Sequence, residues 1–116
     1  MEIENFTEQS KLCIKAVENL ARKMNNQILY TEHLLLQILK DSSGIISKMI
    51  ELSGSNIKQL EGFANEAVSL VPRVDGQNSL YMDASLQKVI EKAQALALAK
   101  GDTFVAIDWL FVALTY

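Results

Sequence analysis

The chain has one cysteine, one proline and five glycines in 116 residues, and 7% of it is aromatic. A lone Cys13 excludes an intramolecular disulfide and fits a reducing compartment. So little proline and glycine excludes collagen-like repeats and a turn-rich β-sandwich. Dense Lys/Arg clusters are missing too: 11 basic and 14 acidic residues are scattered to a net charge of −3, which argues against a nucleic-acid partner. The opening MEIENFTEQSK carries acids where an export signal would carry a basic stretch and then an apolar one. The longest late apolar run, Trp109 to Leu114, falls far short of the ~20 residues that span a bilayer. These absences predict a cytoplasmic protein that engages neither nucleic acid nor membrane.

What the chain does have is 49% hydrophobic residues, arranged with helical spacing. A chain of this length buries about two-thirds of its unfolded surface, enough for a real core. Thr7 is placed to cap a first helix with Cys13, Ile14, Val17, Leu20, Ala21 and Met24 on one face, ending near Asn25 and Asn26. Thr31 is expected to cap a second, with Glu32 at the positive end of its dipole and Leu34, Leu35, Ile38 and Leu39 inward. Ser42-Ser43-Gly44 reads as a turn. Ile45, Ile46, Met49, Ile50 and Leu52 then give a short third helix closed by Gly54.

Ser55 or Asn56 starts a fourth helix through Ile57, Leu60, Phe63, Ala64, Ala67, Val68 and Val71, which must end before Pro72. Residues 72–79, PRVDGQNS, form the one sizeable loop. Asp83 caps a fifth helix with Leu86, Val89, Ile90, Ala93, Leu96 and Ala97 on one face and Gly101 after its end. Phe104 and Val105 lead into a final apolar helix.

Two phrases repeat. YTEHLLLQIL at 30–39 returns 76 positions later as AIDWLFVAL at 106–114. Setting 6–38 over 82–114 gives four identities, Ile14/Ile90, Leu20/Leu96, Ala21/Ala97 and Leu34/Leu110, and pairs apolar with apolar at many other places, with Thr7 over Asp83 and His33 over Trp109. The expected fold is all-α: a pseudo-two-fold pair of helical repeats, the first over about 6–71, a loop at 72–82, and the second over about 83–116.

Candidate chemistry is sparse. His33 and Cys13 lack the third group that a nucleophile needs and the further ligands that zinc needs, so His33 is expected to be structural and Cys13 a small core hydrophobe. None of Gly44, Gly54, Gly62, Gly76 or Gly101 is followed by lysine, so no phosphate-binding loop is present. The single tryptophan, Trp109, fits either a core plug or the floor of a groove, with core favoured. Tyr81 and Met82 are placed to line a groove edge.

FTEQS near the start, TEHLLLQIL, PRVDG at 72–76 and KGDTFVAIDWLFVAL at 100–114, in that order, resemble the double Clp amino-terminal repeat family, and most of all its ClpB-like branch. The resemblance covers nearly the whole chain. It implies a non-enzymatic substrate-binding module of a ring-forming, ATP-driven protein disaggregase, needing no cofactor itself while the parent uses ATP. Implied partners are unfolded or aggregated polypeptides, the rest of a chain expected to form a hexamer, and an Hsp70-type chaperone system. The alternative is an adaptor-docking domain of a ClpA/ClpC-type protease unfoldase. By the same resemblance Thr7, Asp102 and Asp108 handle clients, joined here by Trp109 and Tyr81. Glutamate is usual where Asp108 stands, and Ile107 replaces a capping Ser or Thr, which should draw Asp108 into capping. The family's second unit continues with a counterpart of Ile45 to Leu52; here nothing follows Tyr116, so Leu110, Phe111 or Leu114 is expected to be less covered than Leu34, Leu35 or Ile38.

Overall fold

A computed structural model describes residues 3–41, 44–75 and 79–115. Six helices run in the order α1 (Glu8–Lys23), α2 (Thr31–Leu39), α3 (Ile45–Leu52), α4 (Ile57–Ser69), α5 (Ala84–Ala99) and α6 (Ile107–Leu114), with short strands β1 (Ile28–Leu29) and β2 (Tyr81–Met82). The expected turn residues Ser42 and Ser43, Gly76 of PRVDG, the next two loop residues and the final Tyr116 lie outside the described residues.

Capping chemistry sets most helix starts. The amides of a first turn have no intrahelical partner, and a short side-chain oxygen supplies one. Thr7 Oγ1 accepts from the Ser10 amide at 3.2 Å, Asn56 Oδ1 from the Gln59 amide at 3.1 Å, and Asp83 Oδ2 from the Ser85 amide at 3.0 Å. Thr31 does not cap α2. The cap position belongs to Tyr30, whose own amide donates to His33 Nδ1 at 2.9 Å, and Thr31 is already the first helical residue, its hydroxyl donating to Glu32 Oε1 at 3.1 Å. His33, three residues into the helix, does the reaching back that Glu or Gln performs in a capping box.

Helix faces departed from expectation where only part of an apolar face is covered. In α3, Ile46 and Ile50 are buried while Ile45 and Leu52 are exposed; in α4, Ala64 and Val68 are buried and Phe63 is exposed. In α2, Leu36 is buried and Leu35 only partly, because α1, α4 and α6 all pack around this helix.

The repeat is realised hydrogen bond by hydrogen bond. Asn25, at φ 56°, and Gly101, at φ 79°, are equivalent left-handed turns at the ends of α1 and α5. The next amide returns to the helix in both: Asn26 N–H to the Ala21 carbonyl at 2.8 Å, Asp102 N–H to the Ala97 carbonyl at 2.9 Å. Strand pairing is exchanged between the halves. Leu29, before α2, pairs in parallel with Met82, before α5; its equivalent Val105 pairs in parallel with Phe6, the equivalent of Met82. The Asp83 amide donates to the Leu29 carbonyl at 2.9 Å and the Thr7 amide to the Val105 carbonyl at 3.0 Å, one contact reflected in the other across a pseudo-two-fold axis. Strands of two residues carry no readable period-2 pattern, which is why the sequence showed only helices.

The core is continuous, running from Phe6 and Ile14 through Leu34, Ile38 and Ile46 to Ile90, Val105 and Leu110. Cys13 belongs to it as expected: burial, with Asp41 adding to the effect, pushes its thiol up to about 12. Since the thiolate is the reactive form, iodoacetamide at pH 8 should leave Cys13 unmodified in the folded protein and label it fully in denaturant. Labelling of the native protein at the denatured rate would contradict this burial.

Coverage of α6 is incomplete. Leu110 is as buried as Leu34, and Phe111 like Leu35 is partly covered, but Leu114 is only partly buried where its counterpart Ile38 is enclosed. In the first repeat α4 and α3 lie against α2. Among the described residues α6 is bordered by clefts of about 540, 410 and 320 Å³, lined by residues such as Val89, Leu60, Met49, Phe111 and Leu114.

Candidate client-binding site

Thr7 sits where the first repeat meets the second. Its amide is tied to Val105, and its hydroxyl also lies 2.9 Å from Ser10 Oγ. Ser10 Oγ donates to the Val105 carbonyl at 2.7 Å, so Thr7 supplies the proton of the pair between the two hydroxyls. Thr7 is half-buried and Ser10 fully buried. This small polar cluster pins the start of α1 to the segment that carries Asp102.

Asp102 follows the left-handed Gly101 and is exposed. Its Oδ2 accepts from Trp109 Nε1 at 2.6 Å, so the indole orients a carboxylate that stands on an exposed residue. Trp109 is half-buried, combining the two roles considered for it: its body packs against the core and its edge serves the surface. Asp108 is half-buried and its Oδ1 accepts from the Trp109 amide at 2.9 Å, so it is drawn into satisfying the start of α6, as Ile107 at the preceding position suggested.

A cleft of about 190 Å³ on the second repeat, closed on one side by Asn5 of the amino-terminal segment, is lined by Gln94, Leu98, Asp102, Thr103 and Val105, among others. The structure thus brings Thr7, Asp102 and Trp109 into one region, with Asp108 next along the chain. Tyr81 is elsewhere: it is exposed on β2, paired with Ile28, and does not line this cleft. Two apolar residues beside Asp102 escaped the sequence reading. Leu98 is 77% exposed and Phe104 is 55% exposed. The signal for Leu98 was present, since it falls off the buried stripe of Leu86, Ile90, Ala93 and Ala97 yet is a large hydrophobe near a helix end.

The first repeat holds an equivalent pair. Asn26 Oδ1 lies 2.9 Å from His33 Nε2, in the place of Asp102 and Trp109. There the pair is buried and structural. Because His33 Nδ1 accepts from Tyr30, Nε2 carries the proton and donates to Asn26. Burial lowers the His33 pKa below its usual value, with Glu32 pulling the other way. His33 is therefore neutral scaffolding, as expected. Among the described residues no group of three or more His, Cys, Asp or Glu is placed to hold a metal, and no helix is long and apolar enough to cross a membrane.

These features define a double helical repeat with strand exchange between its halves and a mixed polar and apolar cleft beside Asp102 on the second. The model of the Clp repeat N-terminal domain matches residues 5–116, and the chain belongs to that family. It is 36% identical to the chaperone protein ClpB of Rickettsia felis and 32% identical to that of Mesorhizobium japonicum, over 100% and 99% of this chain. It spans only 14% and 13% of the length of those two proteins. Among solved structures, the Hsp104 N-terminal domain of Candida albicans superimposes with a TM-score of 0.87 at 20% identity, over 96% of this chain and 73% of that one. The ClpV1 N-terminal domain of E. coli gives 0.85 at 16% identity, over 96% and 68%.

Proposed function

We propose that this domain captures exposed apolar segments of unfolded or aggregated proteins for an ATP-dependent disaggregase of the ClpB type. Membership of the Clp repeat family and the ClpB relatives support the parent class. The observation that carries the site is the Asp102 carboxylate, held by Trp109 in a cleft that the second repeat forms with the amino-terminal segment, with exposed Leu98 and Phe104 close by in the chain. Clients of such a machine share exposed hydrophobic stretches rather than a sequence. Burial of apolar area therefore supplies affinity, and the oriented carboxylate, with Thr7 and Asp108 nearby, addresses backbone N–H groups. Each contact is weak, and assembly of several domains around one ring, a hexamer in this reading, raises local concentration. The ATP chemistry belongs to the parent chain, which works in the cytoplasm with an Hsp70-type partner. Adaptor docking of the ClpA/ClpC kind is the competing reading.

Titration of the ¹⁵N-labelled domain with a permanently unfolded apolar polypeptide tests this. Shifts should concentrate at Thr7, Leu98 and residues 102–109. Asp102→Ala should weaken binding by roughly fivefold, or about 1 kcal/mol, the worth of one hydrogen bond. Thr7→Ala should weaken it similarly, while removing a helix cap costs about 1 kcal/mol of stability. Binding that leaves Thr7 and 102–109 unperturbed would reject the site, and binding only to a folded adaptor would favour the competitor.

A further inference from the structure

The buried His33 is the centre of a chain of hydrogen bonds that reaches the connection between the repeats. On one side the Tyr30 amide donates to Nδ1 at 2.9 Å; on the other Nε2–H donates to Asn26 Oδ1 at 2.9 Å. Asn26 Nδ2 donates onward to the carbonyls of Pro72 at 3.2 Å and Val71 at 3.4 Å. Asn26 also pairs with Arg73, and the Val74 amide donates to the Asn25 carbonyl at 2.7 Å. The connection beyond α4 is thus fastened to the first repeat by the Asn26 carboxamide, which the imidazole orients, and by the backbone pairing of Asn25 and Asn26 beside it. We propose that His33 makes this fastening acid-labile, a proton-released latch that the second repeat does not share.

The argument is one of donors and acceptors. A neutral imidazole offers one of each, and both are used here. Protonation turns Nδ1 into a donor facing the Tyr30 N–H, so the cap of α2 is lost and two donors confront one another inside the core. The ring must then turn or leave, which strips Asn26 of its partner and loosens Val71–Val74. In the second repeat Trp109 replaces the imidazole; an indole N–H does not titrate, and its partner Asp102 is exposed.

Histidine is the side chain whose ordinary value lies between about pH 5 and 8, and His33 is the one histidine of the chain. Glu32, on the same helix, is the neighbour whose field favours protonation, and burial outweighs it. Arg22 and Lys23 at the end of α1, Lys58 and Glu66 on α4, and Arg73 and Asp75 on the connection are exposed; Glu61 on α4 is half-buried; Arg73 Nη2 reaches Met24 Sδ at 3.9 Å. The sign follows from linkage. The fastened state holds His33 with a lowered pKa, so its advantage is complete above the ordinary histidine value of about 6.5 and is lost as pH falls toward the lowered one.

Native-state amide hydrogen exchange between pH 7.5 and 5, corrected for intrinsic rates, tests the latch. Protection of the Tyr30 and Val74 amides should fall together, by about tenfold per pH unit below about 6.5, while the Asp102 amide and the Trp109 indole N–H hold theirs. Imidazole ¹⁵N shifts should report the Nε2–H tautomer at pH 7.5. His33→Gln keeps an acceptor for Tyr30 without a titrating group and should make protection at Val74 independent of pH. PH-independent protection at Val74 in the wild type, equal loss at Asp102, or a pH dependence that persists in His33→Gln would each overturn the proposal. Should His33→Gln fail to fold, the wild-type pattern and the ring tautomer decide.

Discussion

Leu34→Ala should lower the free energy of unfolding by about 2–5 kcal/mol, the range for deleting an enclosed leucine, and Leu110→Ala should cost less than Leu34→Ala. The two leucines are equivalent in the repeat and both are fully enclosed. Their chemistry being the same, the difference lies in how each site closes over the void. Leu34 is wrapped in a helix that α1, α4 and α6 all touch, so the hole stays open and unfilled. Leu110 lies on a helix bordered by clefts, where Phe111, Val112 and Leu114 are only partly covered and are free to settle inward. Urea denaturation of both variants measures the pair. A larger loss at Leu110 would mean that α6 is as tightly enclosed as α2.

Asn26→Ala and Asp102→Ala form the second contrast. Deleting the buried carboxamide leaves the His33 Nε2–H without a partner in the core, and a stranded buried group costs about 1–3 kcal/mol, whereas the Pro72 carbonyl lies on an exposed residue that water reaches. Removing the exposed carboxylate strands only the Trp109 indole N–H at a surface that water reaches, so the cost should stay below about 1 kcal/mol. Asp102→Ala therefore separates binding from stability, whereas Asn26→Ala does not. Comparable losses in a denaturant titration of the two would make Asp102 a structural residue and weaken its place in the proposed site.

Much of this architecture was legible because short polar side chains answer a local need. Thr7 and Asp83 cap the helices they were expected to cap, and of Ser55 and Asn56 it is Asn56 that caps the fourth, since an orphan amide and a nearby oxygen are all the geometry requires. Thr31 misled because a competing acceptor, His33 Nδ1, reaches back from the first turn, and residue type alone does not rank the two. Helical spacing told which side chains belong to an apolar helix pattern but not whether anything covers them, and Ile45, Leu52 and Phe63 lie exposed. Matching His33 with Trp109 was visible by alignment at the repeat period. That their partners Asn26 and Asp102 match as well was not read, because the first pair is buried and the second is exposed. Tyr81 suited a groove edge by residue type and position, yet strand pairing carries it to Ile28 and away from the cleft.

The crossed strand pairs have a mechanical meaning. Leu29 needs Met82 and Val105 needs Phe6, so each repeat completes an edge of the other. Pulling the halves apart would bare four backbone edges at once, and melting either alone would orphan its neighbour. Under the proposed function, a domain that captures exposed apolar segments gains from this interlock, which ties the integrity of each half to the other.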